Sequence, residues 1–119
     1  MGFLSLDPDE ARLRMELKEL KRDLAQLEGN LREYQQALYP QQKELERCLQ
    51  QESTLTDNMF KTPYGVKEFE EQMPKLRMSL LEARAHVRFQ NERIESVQKM
   101  IARKQEQIRH VEIQLQAFA

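Results

Sequence analysis

The chain has 119 residues, of which 33% are charged and 7% aromatic, with seven Gly and Pro together, no Trp and a net charge of −1. That is room for one small domain, with too few aromatics for a β-sandwich or barrel core and no global charge to draw nucleic acid or an anionic membrane. Leu, Glu, Gln, Arg and Lys dominate, which is the composition of long helices and coiled coils rather than of a globule with a catalytic pocket.

The first element announces itself at Asp7-Pro8-Asp9-Glu10. Asp7 is a good N-cap, Pro8 suits the first helical position, Glu10 completes a capping-box spacing, and Leu6 stands where it can fix the entry of the chain. Ahead of it, Gly2-Phe3-Leu4-Ser5-Leu6 resembles a myristoylation start, except that Leu6 stands where Ser or Thr is needed. No secretory segment and no apolar run near the ~18 residues of a membrane helix is present. Cys48 is the only cysteine and has no intrachain partner, so a cytoplasmic location is expected.

From Leu6 onward a heptad pattern runs to Phe118, with a positions at 10, 17, 24 and so on to 115, and d positions at 6, 13, 20 and so on to 118. Of these 33 positions 27 are apolar, where composition alone would fill about 13. The exceptions are Glu10, Gln41, Glu52, Thr62, Gln90 and Lys104. A sustained 3.5-residue repeat keeps one stripe facing a partner helix through a left-handed supercoil.

The pattern predicts a single coiled-coil domain over 1–119, with a helix at 8–57, a turn at 58–62 and a second helix at 63–118. Asn58 can end the first helix, and Thr62-Pro63 reads as N-cap and N1 of the second. Pro40 and Pro74 each cost about 3 kcal/mol in a helix interior, yet the heptad continues past both, so they read as kinks. Pro74 could instead be the true start of the second helix. Met59, Phe60 and Tyr64 at the turn are expected to pack over the end of the helices, although such a tip can also carry binding residues.

The fold class is thus all-α, with two helices of about 50 residues in an antiparallel hairpin. The main alternative is an extended parallel dimeric coiled coil, which the unbroken register favours; a three-helix repeat broken at Pro40 ranks third. Charge favours the hairpin. Residues 1–57 carry 8 basic and 12 acidic groups, a net −4, and residues 58–119 carry 11 and 8, a net +3. With a turn near residue 60, paired numbers sum to about 120, which sets Lys104 near Glu16 and Glu19 and Cys48 opposite residue 72.

The second helix carries apolar residues off the seam. Met78, Leu81, Ala85 and Phe89 are spaced by 3, 4 and 4 and form a row on the outer face, and Met100 and Ile113 also lie off it. A helix with two apolar stripes has neighbours on two sides. Homodimerisation of hairpins into a four-helix bundle is the plainer account, and docking of another protein, such as a small GTPase or adaptor, the sharper one. The basic residues Lys75, Arg77, Arg84, Arg88, Arg93, Lys99, Arg103, Lys104 and Arg109 are diluted by Glu and lack interleaved stacking aromatics, so neither nucleic acid nor membrane is an expected partner. His86 and His110 are too far apart along one helix to share a metal. Nothing points to a cofactor, a metal, a small-molecule substrate or an enzyme. The expected function is a non-catalytic oligomerisation or scaffolding module of a larger intracellular protein, of the kind found in cytoskeletal, tethering and adaptor proteins.

Overall fold

The computed structural model describes residues 7–119; Leu6 and the Gly2–Leu6 segment lie outside the described residues. Two helices account for nearly all of it, α1 over Pro8–Asn58 and α2 over Gly65–Gln116, with no strand among the described residues. They form a helical hairpin, so the parallel rod and the three-helix repeat are set aside.

The seam follows the heptad. Among the described residues, every buried one except Gly65 occupies an a or d position. Among the described a and d positions only Thr62, Val66 and Phe118 are exposed, two at the turn and one beyond the end of α2. The register therefore does not run unbroken through the turn: the positions nominally linking the two stripes are outside the seam, and each helix carries its own stripe.

At its start, α1 is capped as expected. The Asp9 amide donates to Asp7 Oδ1 at 2.8 Å, and the Ala11 amide donates to the Asp7 carbonyl at 3.0 Å. Glu10, however, does not close a capping box. Its Oε1 accepts two bonds from Arg14, at 3.0 and 2.8 Å, one turn further along. Charge-assisted pairing at i,i+4 draws the carboxylate forward along the helix instead.

Neither proline ends a helix. Pro40 lies inside α1 and Pro74 inside α2, so Pro74 is not the start of the second helix. Both are exposed, at positions off the seam, where water can satisfy the carbonyl that each proline leaves without its amide partner.

The connection is 59–64, later than the predicted 58–62, and α2 begins at Gly65 rather than at 63. Two short turns build it. The Lys61 amide donates to the Asn58 carbonyl, and the Gly65 amide donates to the Thr62 carbonyl, both at 3.1 Å. Pro63 is therefore the second residue of a β-turn, a place its fixed φ suits as well as a helix start. The Tyr64 carbonyl takes the first helical bond of α2, from the Glu68 amide at 2.9 Å.

Gly65 stands where the backbones of the two helices meet. A Cβ here would lie 2.6 Å from the Met59 carbonyl oxygen and closer still to that of Asn58. The first turn of α2 sits directly on the last carbonyls of α1. No positive φ is involved; the requirement is close approach of backbone.

Two compact units divide the chain. One joins the residues through Glu33 with Ile94–Ala119, and the other is Tyr34–Arg93. In the first, Lys104 Nζ lies 3.4 Å from Asp23 Oδ2. This corrects the expected neighbourhood of Glu16 and Glu19. In the second, Cys48, Leu55, Met73, Leu76 and Leu80 form the buried core, flanked by Leu45 and Phe69. Cys48 thus shares its core with Met73, Leu76 and Leu80 of α2, around the expected position 72 and beyond it.

Asp23 and Lys104 have numbers summing to 127, as do Tyr34 and Arg93, which touch in the other unit. The expected sum of 120 falls short for two reasons. The connection is centred between residues 61 and 62, which raises the sum to about 123. Helical side chains also lean toward the N-terminus of their own helix, so α1 residues reach away from the turn and α2 residues reach toward it. Long side chains such as Arg93 and Lys104 therefore meet partners of higher summed number.

Candidate interaction surface

All four residues of the predicted outer row are exposed. Met78 is 67% accessible, Leu81 64% and Phe89 56%, and Ala85 is exposed with them. They lie within the Tyr34–Arg93 unit on the side of α2 opposite the buried Met73, Leu76, Leu80 and Ala83. The row follows from spacing alone: residues 3 and 4 apart share a helix face, and these positions fall between the seam positions.

Phe89 is not wholly solvated. The Arg93 guanidinium carbon lies 5.3 Å from its ring centroid and 3.8 Å from that of Tyr34 on α1. Arg93 spans from the edge of the seam to the end of the outer row, and among the described residues it is the one basic residue of α2 that is stacked in this way. Lys99 pairs with Glu95 at 3.2 Å, Lys104 with Asp23, and Arg109 with Glu106 at 3.6 Å. The basic residues of α2 are thus partly occupied by their own carboxylates, and the exposed i,i+3 and i,i+4 pairs add little stability each.

Met100 and Ile113 are exposed as the spacing predicts. Three further exposed apolar residues escaped the sequence reading: Met15, Tyr39 and Leu49 on α1. Tyr39 carries the Lys43 ammonium 5.4 Å from its ring centroid. Their isolation explains the omission, since no two of them make a row at helical spacing.

At the turn, Phe60 and Tyr64 do not pack over the helix ends. They are 83% and 76% exposed, and only Met59 is half-buried. The backbone of α2 approaches the last carbonyls of α1 at Gly65 without them.

Cys48 is fully buried, with its Sγ 3.7 Å from Glu44 Oε1 and 3.8 Å from Arg47 Nη2. Burial pushes its thiol above the ordinary range, and the neighbouring Glu44 carboxylate adds to this. A thiol held protonated is a packing group rather than a nucleophile. Glu44 itself is held below the usual carboxylate range by its hydrogen bond from Arg47, at 2.6 Å. His86 and His110 are both exposed. No cluster of three His, Cys, Asp or Glu side chains able to hold a metal occurs among the described residues, and no helix there is long and apolar enough to cross a membrane.

Two side chains in the seam are unusual. The amide oxygens of Gln41 and Gln90, both at d positions, are buried without a hydrogen-bond partner. No protein-family model, curated protein or solved structure matches the chain.

Proposed function

We propose that this chain is a non-catalytic coiled-coil module that self-associates through the outer face of α2, joining copies of a larger cytoplasmic protein as a scaffold or spacer. The observation that carries the reading is the exposed row Met78, Leu81, Ala85 and Phe89, which remains free after the seam has used the a and d residues of both helices. Three large apolar side chains aligned on one face of a water-exposed helix favour burial against another surface. Packing the rows of two hairpins together makes a four-helix arrangement in which α2 has a neighbour on both apolar sides.

Against catalysis stand the chemistry of the seam, which offers apolar contacts rather than convergent polar groups, and the protonated state of its one thiol. Sedimentation of the chain at micromolar concentration tests the proposal. A dimer mass is expected, falling to the monomer mass in the Leu81→Glu/Phe89→Glu variant with helicity unchanged. A monomer at all concentrations overturns self-association and leaves the row to a different protein.

A further inference from the structure

The outer row has a property that sets how two copies would meet. Its four residues run from 78 to 89, and Lys75 stands three residues before the first while Glu92 stands three residues after the last. Both are exposed, and all six residues belong to the Tyr34–Arg93 unit. The two ends of one apolar row therefore carry opposite charges.

Resting on the self-association proposed above, the geometry points to one arrangement of the dimer: α2 against α2 of a second copy, antiparallel, about a two-fold axis between Glu82 and Ala85. This register overlaps the two rows from end to end. Met78 stands level with the partner's Phe89, and Leu81, level with the partner's His86, lies next to the partner's Ala85, whose small side chain admits close approach of the helices. Residue numbers paired across the axis sum to 167. Lys75 then stands level with the partner's Glu92, and by symmetry the pair occurs twice, as an isologous interface requires.

Charge selects this orientation over the parallel one. In a parallel pairing in register each residue faces its own copy, so Lys75 meets Lys75, Glu92 meets Glu92, and Glu82 and Arg88 do likewise. In the antiparallel register Glu82 is level with Ala85, Arg88 with Ser79, and Arg77 with the buried Gln90, so like charges are offset along the axis rather than level, the two copies of Glu82 by three residues. Like-charge juxtaposition is the stronger discriminator between orientations, since attractive pairs at a rim add little affinity.

The test is charge reversal on the full chain, read as a dimer dissociation constant by sedimentation equilibrium, with circular dichroism verifying the fold. Lys75→Glu and Glu92→Lys are each expected to weaken the dimer about tenfold, because each reversal creates two like-charge pairs. The double variant restores the pairs with their signs exchanged and is expected within about threefold of the parent, on the same reasoning. Oxidative cross-linking gives a second readout in a Cys48→Ala background. A mixture of Lys75→Cys and Glu92→Cys chains is expected to yield cross-linked dimer, and neither alone. A dimer whose single reversals leave the constant unchanged, or in which Lys75→Cys cross-links to itself, overturns the antiparallel register while leaving self-association standing. A parent chain that stays monomeric overturns both.

Discussion

The Arg93 guanidinium lies 3.8 Å from the centre of the Tyr34 ring, which makes this half-buried arginine the stacked bridge between α1 and α2 in the Tyr34–Arg93 unit. A planar cation over an aromatic face gains from the ring quadrupole and from the low exposure of the pair.

That contact can be measured. Arg93→Ala and Tyr34→Leu, combined in a double-mutant cycle, are expected to show a coupling of about 1 kcal/mol in urea unfolding, and Arg93→Lys to recover only part of it because the planar stack is lost. Additive effects would mean that the ring and the guanidinium merely share a location.

The two helical glycines should respond in opposite directions to the same change. Gly65→Ala places a Cβ against the Asn58 and Met59 carbonyls, which are backbone and cannot rotate away, so the hairpin is expected to lose about 2 kcal/mol or more. At Gly29, inside α1, the nearest atom to a new Cβ is the mobile Arg32 Nη2 at 4.0 Å, and Gly29→Ala is expected to raise stability by about 0.5–1 kcal/mol. Thermal melts of the two variants decide the matter. A Gly65→Ala protein as stable as the parent would show that α2 does not need its close seat on α1.

Gly65 also marks where sequence reasoning stops. Helix type, the seam and the exposure of Met78, Leu81, Ala85 and Phe89 are all legible, because side-chain periodicity reports directly which face of a helix meets a neighbour. The end of the hairpin is not. Thr62-Pro63 fits a helix start and a β-turn equally well, and only the approach of two backbones distinguishes them. The pairing of Lys104 with Asp23 was hidden for a related reason: it depends on the turn centre and on the lean of side chains, neither of which alternation of apolar residues encodes. The Arg93–Tyr34 stack likewise joins a seam residue to one beside the seam, across a register the sequence does not state.

Gln90 offers a route to a more stable hairpin. Its amide oxygen is buried with no partner, at a d position between Val87 and Ile94 on the seam. Gln90→Leu has similar volume and removes the unsatisfied group, so a gain of about 1–3 kcal/mol is expected from chemical denaturation. A loss of stability would show that the amide holds water or an interhelical bond worth more than the apolar contact. A gain accompanied by a mixture of oligomers would assign Gln90 a role in specifying the assembly, as buried polar groups do in other coiled coils.

The buried thiol makes stability depend on alkaline pH. Cys48 has its folded pKa raised by burial, so the unfolded chain gives up this proton at a lower pH than the folded one. The stabilisation is therefore complete below the ordinary thiol range, about 8.5, and declines as pH rises through it toward the folded value. The measurement is a difference: unfolding free energy from pH 7 to 10 for the parent and for Cys48→Ala. The parent is expected to lose its advantage over the variant as pH rises, since alanine has no proton to release. Ellman's reagent should at the same time label the native thiol no faster than the hairpin opens, and oxidation should give no Cys48–Cys48 dimer, because the residue is fully buried in the core that Met73, Leu76 and Leu80 also form. A pH-independent difference, or prompt labelling of the folded chain, would place Cys48 at the surface and require a different packing of the core.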